Sequence, residues 1–331
     1  MEFRQHIFKA RHMPLPPLEP SAGDAGQFTP LEWSSYFESR QAVVVGDTTF
    51  NVYCSGLSNA GPIFVLHHGA GHSGLTFGLV ARHMLHSSSS TEPGFTILAL
   101  DARDHGSTTG ANQEDLSVER LVDDFVGVIQ AMLPNNSRDM VLVGHSMGGA
   151  VVAHAAASKR LSNITGLILI DIVEGSAMDS LPSIPTFINA RPKSFASVES
   201  AIKWHVESGA IQSTESARLS VPTLIVPTAG NSQAWTWRTL LMPTEQYWRG
   251  WYTGLSNTFI SAQTAKLLVL AGTDRLDRDL LIAQMQGKFQ LEVLPAAGHT
   301  IQEDLPERVG DAMVSFWRRN QRVNIPVRRD K

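Results

Sequence analysis

The chain predicts an α/β fold, a mostly parallel central sheet with helices on both faces. Three observations carry that reading. Apolar runs of strand length alternate with segments of helical periodicity, several runs are apolar at every position, and one of them ends in a serine set between glycines. A run without polar alternation fits a strand buried on both sides, as helices flanking a parallel sheet require.

Residues 1 to about 27 read as a flexible leader, because Met13-Pro-Leu-Pro-Pro-Leu-Glu-Pro20 and the small polar residues after it resist both helix and sheet. Order is expected from Phe28. Ala42 to Val45, Gly46-Asp47 and Thr49 to Tyr53 form a hairpin with its turn signal. Ile63 to His67 is an apolar strand running into His68-Gly69-Ala70-Gly71, and after a polar loop Phe95 to Leu100 supplies the next. From Ser117 to Met132, Leu121, Phe125, Val128, Ile129 and Met132 share one helical face. Met140 to Val143 reads as a strand and Gly148 to Ala157 as the helix behind it. Gly166 to Ile170, Lys266 to Ala271 and Phe289 to Leu294 complete the sheet, and a helix from Pro306 to Arg319 closes a domain spanning 28–320. The basic segment 321–331 reads as a solvated tail.

Between Glu174 and Ala265 the alternation breaks, and roughly ninety residues stand where a short connection would suffice. This predicts a cap inserted over about 175–265. It contains Trp204, Trp235, Trp237, Trp248 and Trp251 with Tyr247 and Tyr252, aromatics that serve the core of the cap ahead of a contact surface.

Composition narrows the function classes. A net charge of −4 over 331 residues leaves no basic footprint for nucleic acid, so no DNA or RNA partner is expected. The single cysteine, Cys54, excludes an intramolecular disulfide and fits a reducing compartment. No apolar stretch approaches a membrane span and the start lacks the apolar core of a secretory signal, which points to cytoplasm or nucleus without membrane association.

The chemistry centres on Gly144-His145-Ser146-Met147-Gly148 between a predicted strand and helix. A serine on such a strained turn is exposed above the sheet, and glycines are needed on either side because Cβ atoms have no room. Ser146 is the candidate nucleophile, and the Met147 amide at the helix N-terminus is one candidate oxyanion donor. The turn after Ile63 to His67 supplies the other, assigned to Ala70. The candidate base is His299, which lies after the last strand and before the last helix. For the acid that orients it, Asp171 and Asp274 both follow strands at the correct edge. Spacing favours Asp274 slightly, with Asp277 as a further candidate. His67, His68, His72, His83 and His86 have neither partner cysteines nor His-Glu-x-x-His spacing, so no metal or cofactor is expected. Asp101, Arg103, Asp104, His105 and Gly106 read as a hydrogen-bonding loop near the site.

Read with their neighbours, these residues resemble the protein phosphatase methylesterase family of the α/β-hydrolase superfamily. The resemblance rests on Leu142-Val-Gly-His-Ser-Met-Gly-Gly-Ala150, Ile170-Asp-Ile-Val-Glu-Gly-Ser-Ala-Met-Asp179, Ala190-Arg-Pro-Lys-Ser-Phe195 and Glu207-Ser-Gly-Ala-Ile-Gln212. It continues through Thr236-Trp-Arg238, Gly254-Leu-Ser-Asn257, Leu270-Ala-Gly-Thr-Asp-Arg-Leu-Asp277 and Gln284-Met-Gln-Gly-Lys-Phe-Gln290.

The resemblance implies an α/β-hydrolase fold and removal of the methyl ester from the C-terminal leucine of the protein phosphatase 2A catalytic subunit, the expected partner. It also implies Asp171 as the triad acid beside Ser146 and His299, and a site that partner docking completes. Two departures stand out. Ala70 replaces the middle glycine of a His-Gly-Gly-Gly turn, which requires negative φ there, and only Val221 to Ala234 stands where some relatives carry a long acidic insertion. A small-molecule carboxylesterase and a catalytically silent binding protein that sequesters the phosphatase are the competing expectations.

Overall fold

The computed structural model describes residues 26–87, 93–272 and 276–321. Of the leader expected over 1–27 all but Gly26 and Gln27, of the basic tail all but Gln321, and the acid candidate Asp274 lie outside the described residues.

A tight hairpin starts the sheet. β1 (Ser39–Val45) pairs antiparallel with β2 (Thr48–Ser55), and the Val45–Thr48 register leaves only Gly46 and Asp47 in the turn. Gly46 takes the φ of 60° that a two-residue turn demands. β3 (Ile63–His67), β4 (Thr96–Leu100), β6 (Met140–His145), β7 (Ile164–Ile170), β10 (Ala265–Leu270) and β11 (Gln290–Val293) form the parallel body. The order is β1-β2-β4-β3-β6-β7-β10-β11, with the two-residue β5 (Thr109–Gly110) also on β2. β2 runs antiparallel to β4, and every neighbouring pair from β4 to β11 is parallel. The carboxyl ends of β3, β6, β7, β10 and β11 therefore share one edge.

Alternate strand residues feed two cores. Ile63, Val65, Leu142 and Leu167 face α2 (Val118–Met132) and α3 (Met147–Ala157), whereas Phe64, Leu66, Val141 and Ile168 face α1 (Gly78–His86) and α12 (Pro306–Asn320). α2 begins where Ser117 caps it, its side chain accepting from the Arg120 amide. The helix carries the expected face, and Leu121, Phe125, Val128 and Ile129 are buried. α3 is buried nearly all round, which explains its run of glycine, alanine and valine.

The insertion between β7 and β10 holds α4 (Glu174–Ser180), α5 (Ile184–Ala190), α6 (Val198–Glu207), α7 (Thr214–Ser220), the hairpin of β8 (Ile225–Thr228) and β9 (Asn231–Trp237), α8 (Glu245–Tyr252) and α9 (Leu255–Ser261). Its aromatics divide between two cores. Trp204 packs with Phe195, Ile202 and Leu224 in a cluster of the insertion itself, edged by Trp235 and Trp237. Trp248, Trp251 and Tyr252 join the main core on the α2–α3 face, and Trp251 donates from Nε1 to the Leu116 carbonyl at 2.6 Å. The second half of the insertion thus does the work of a sheet-covering layer. No helix among the described residues is long and apolar enough to cross a membrane.

Candidate active site

Ser146 sits between β6 and α3 with φ 51° and ψ −120°, a strained backbone that few side-chain-bearing residues adopt. Its neighbours enforce the turn. A Cβ on Gly144 would stand 2.2 Å from the Gly148 carbonyl oxygen, and one on Gly148 would stand 2.3 Å from that of His67. Sheet register holds the next strand alongside, since the Ser146 amide donates to the Ile170 carbonyl at 3.1 Å.

Asp171 follows β7 and also has positive φ, 51°. Its amide is fixed on the Val269 carbonyl at 2.8 Å, Oδ1 accepts from the Ala271 amide at 3.1 Å, and Oδ2 faces His299 Nδ1 at 2.8 Å. A carboxylate accepts only, so Nδ1 carries a proton, the tautomer that in a neutral ring leaves the lone pair on Nε2. The Asp171 side chain is fully buried and that of His299 is 24% exposed, so the candidate acid is anchored in the interior and the candidate base is partly open to solvent.

Asp277 does different work. It caps α10 (Arg278–Met285) through Oδ1 to the Leu280 amide at 3.0 Å, and its Oδ2 takes the Ser256 hydroxyl at 2.5 Å. The next-strand candidate Asp274 lies outside the described residues.

The candidate oxyanion turn is built on histidines. Gly69 lies against the elbow, where a Cβ would be 3.1 Å from that of Ser146. Ala70 is not among the residues of positive φ, so alanine is tolerated there, whereas Gly71 has φ 77° and its amide is committed to His105 Nε2 at 2.8 Å. His105 Nδ1 donates to the Arg103 carbonyl at 2.7 Å, and burial lowers its pKa to about 4. His68 likewise accepts the Ala102 amide on Nε2 and donates from Nδ1 to the Gly69 carbonyl. These imidazoles are neutral struts. Asp101 anchors the following loop through the amide of Ser107 and ties it to the segment after β3 through that of Gly74, and Arg103 grips Asp124 at 2.7 and 2.8 Å in the interior, the structural role expected of that loop.

Several residues near the centre were not foreseen. His145 is fully buried and donates from Nε2 to the carbonyl oxygen of His299 at 2.9 Å. Its presence inside the elbow motif was the only hint. Tyr252, at the end of α8, is buried near the candidate nucleophile: burial pushes its pKa up to about 12 and the Ser146 side chain opposes the rise. Glu303 is buried beside His72, with Oε2 3.8 Å from Nδ1, and burial pushes its pKa up to about 8.

Comparison with known proteins places the architecture and the family. The model of the alpha/beta hydrolase family matches residues 64–312. Protein phosphatase methylesterase 1 of Homo sapiens is 40% identical over 90% of this chain and 87% of its own length, and that of Yarrowia lipolytica 41% over 91% and 75%. The chain belongs to the protein phosphatase methylesterase family. Among solved structures, E-2-(acetamidomethylene)succinate hydrolase superposes with a TM-score of 0.67 at 22% identity, covering 84% of this chain and 98% of that one, a likeness of fold. Membership in the methylesterase family gives the motifs beyond the elbow a structural meaning here. Glu174, of Asp171-Ile-Val-Glu-Gly175, accepts the amides of Gly254 and Ser256 at 2.8 and 3.1 Å and so seats α9. Trp237, of Thr236-Trp-Arg238, donates to the Pro192 carbonyl at 2.7 Å, with the Arg191 guanidinium 4.1 Å over its ring.

Proposed function

We propose that the chain is a serine carboxylic ester hydrolase that removes the methyl ester from the C-terminal leucine of the protein phosphatase 2A catalytic subunit. The observation that carries the chemistry is the His299–Asp171 pair at 2.8 Å, with Asp171 at the end of the strand that neighbours the one carrying the Ser146 elbow. Kinship with the methylesterases carries the substrate.

In this reading Ser146 Oγ attacks the ester carbonyl while His299 Nε2 takes its proton, and Asp171 keeps the imidazole in the required tautomer and stabilises the imidazolium. The Met147 and Ala70 amides receive the oxyanion, each donor worth about a hundred- to a thousandfold in rate. Collapse expels methanol, protonated by His299, and water releases the free carboxylate by the same steps. A methyl ester offers little to grip, so discrimination comes from contacts with the protein tail and with the surface carrying it.

The test compares kcat/KM for the methylated phosphatase subunit with that for a generic small ester. Strong preference for the phosphatase is expected. Equal or better turnover of the small ester would favour a small-molecule carboxylesterase.

A further inference from the structure

His299 is held at its side chain by Asp171 and at its carbonyl by His145. A third restraint comes from α11 (Ile301–Asp304), the short helix that follows it. The two oxygens of Asp304 serve two different backbones: Oδ2 accepts from the Gly298 amide at 2.7 Å, and Oδ1 from the Gln212 amide at 2.8 Å. Gly298 directly precedes His299, whereas Gln212 belongs to the insertion, between α6 and α7. Two further bonds join the same segments. Thr300 Oγ1 donates to the Ala210 carbonyl at 3.2 Å, and Ser216 Oγ to the Glu303 carbonyl at 2.7 Å.

The segment that follows the base is thus fastened to the insertion at Thr300, Glu303 and Asp304, and Asp304 also ties back to Gly298 on the other side of His299. Only a carboxylate of this length meets the demand, since one side chain must accept two amides and donate to neither. An asparagine offers one acceptor oxygen and turns donors toward the second amide. Catalytic groups tolerate displacements of only about half an ångström, so a tie at the residue before the base bears directly on its alignment.

We propose that Asp304 is a positioning residue that couples the seating of the 208–213 loop to the placement of His299. The proposal rests on the serine reading of the site. Displacement of that loop moves Gly298 through the shared carboxylate and carries the base with it.

The test uses the full chain and its Asp304→Asn, Asp304→Ala and Asp304→Glu variants. The rate of Ser146 labelling by a fluorophosphonate is followed against pH, together with hydrogen exchange in the peptides around Gln212 and His299. In Asp304→Asn and Asp304→Ala the pH-independent labelling plateau should fall about tenfold or more, with partial recovery in Asp304→Glu. Exchange should quicken in both peptides together, and in the wild-type protein both amides should be protected. A shift of the pH midpoint without loss of plateau would mean that Asp304 acts only as a nearby charge, and would overturn the proposal. So would loosening of one peptide alone, or rapid wild-type exchange of both amides, which can be read even if a variant fails to fold. Absence of labelling in the wild type would overturn the serine reading and the proposal with it. Labelling in the wild type with an unchanged plateau in the Asp304 variants overturns the proposal alone.

Discussion

His145 Nε2 lies 2.9 Å from the carbonyl oxygen of His299, so the residue before the candidate nucleophile holds the backbone of the candidate base. A carbonyl only accepts, which fixes the proton of His145 on Nε2, and burial lowers the pKa of this ring to about 3. The imidazole is therefore a neutral strut throughout the physiological range.

His145→Ala should remove that restraint and lower kcat by about a hundredfold, with a smaller change in KM. Steady-state kinetics checks it. An unchanged kcat would show that His299 keeps its place without the His145 bond.

Asp171→Asn should cost about 10⁴ in kcat, because an amide favours the wrong tautomer of the base. Asp277→Ala should instead remove the cap of α10, at a cost of about 1 kcal/mol, and leave kcat nearly unchanged. Kinetics and thermal unfolding on both variants separate the roles, and the opposite ranking would move the acid away from β7.

Glu303 sets a pH dependence of stability. Its folded pKa is raised from 4.5 to about 8, chiefly by burial, with the Asp304 charge adding and the Ser220 and Thr76 hydroxyls opposing. The folded protein thus keeps a proton that the unfolded chain releases. The contribution is fully present below the unfolded value and is lost as pH rises through the folded one, by up to about 1.4 kcal/mol per pH unit between them. His72 beside it shifts downward, by burial first and then by His145 and His299, and acts with the opposite sign at lower pH. Glu303→Gln keeps the shape of the neutral acid and should gain on the wild type from about pH 5 to about pH 8 in denaturant titrations. Parallel curves would contradict this.

Glycine replacements should divide by location. Gly148→Ala drives a Cβ to within 2.3 Å of the His67 carbonyl oxygen, and should destabilise by more than about 2 kcal/mol and abolish activity. Gly250→Ala, in α8 with open space around its Cβ, should stabilise by about 0.5–1 kcal/mol. Unfolding midpoints of the two proteins decide it.

The parallel body of the fold was legible because its strands are short, apolar and bounded by turn signals. Met140–His145 and Ile164–Ile170 match the expected runs within about two residues, the usual uncertainty of such boundaries. The elements inside the insertion were less legible. Its helices are mostly seven to ten residues long, and nothing local to Trp248 or Trp251 says that they complete the main core while Trp204 belongs to another. At the site, Ser146 and His299 are marked by local punctuation. The choice between Asp171 and Asp274 was beyond spacing, because both follow strands at the same edge, and family resemblance was needed to prefer Asp171. The bonds of Asp304 and His145 were invisible, since they join residues 92 and 154 positions apart through backbone atoms that carry no sequence signature.

The most direct test is the mass of the phosphatase catalytic subunit's C-terminal peptide, bearing its leucine methyl ester, before and after incubation with wild-type and Ser146→Ala protein. The wild type should convert the ester to the free acid, and the variant, which should keep its fold, should convert none. Persistence of the ester with folded wild-type protein, or equal conversion by Ser146→Ala, would contradict the proposed serine esterase function.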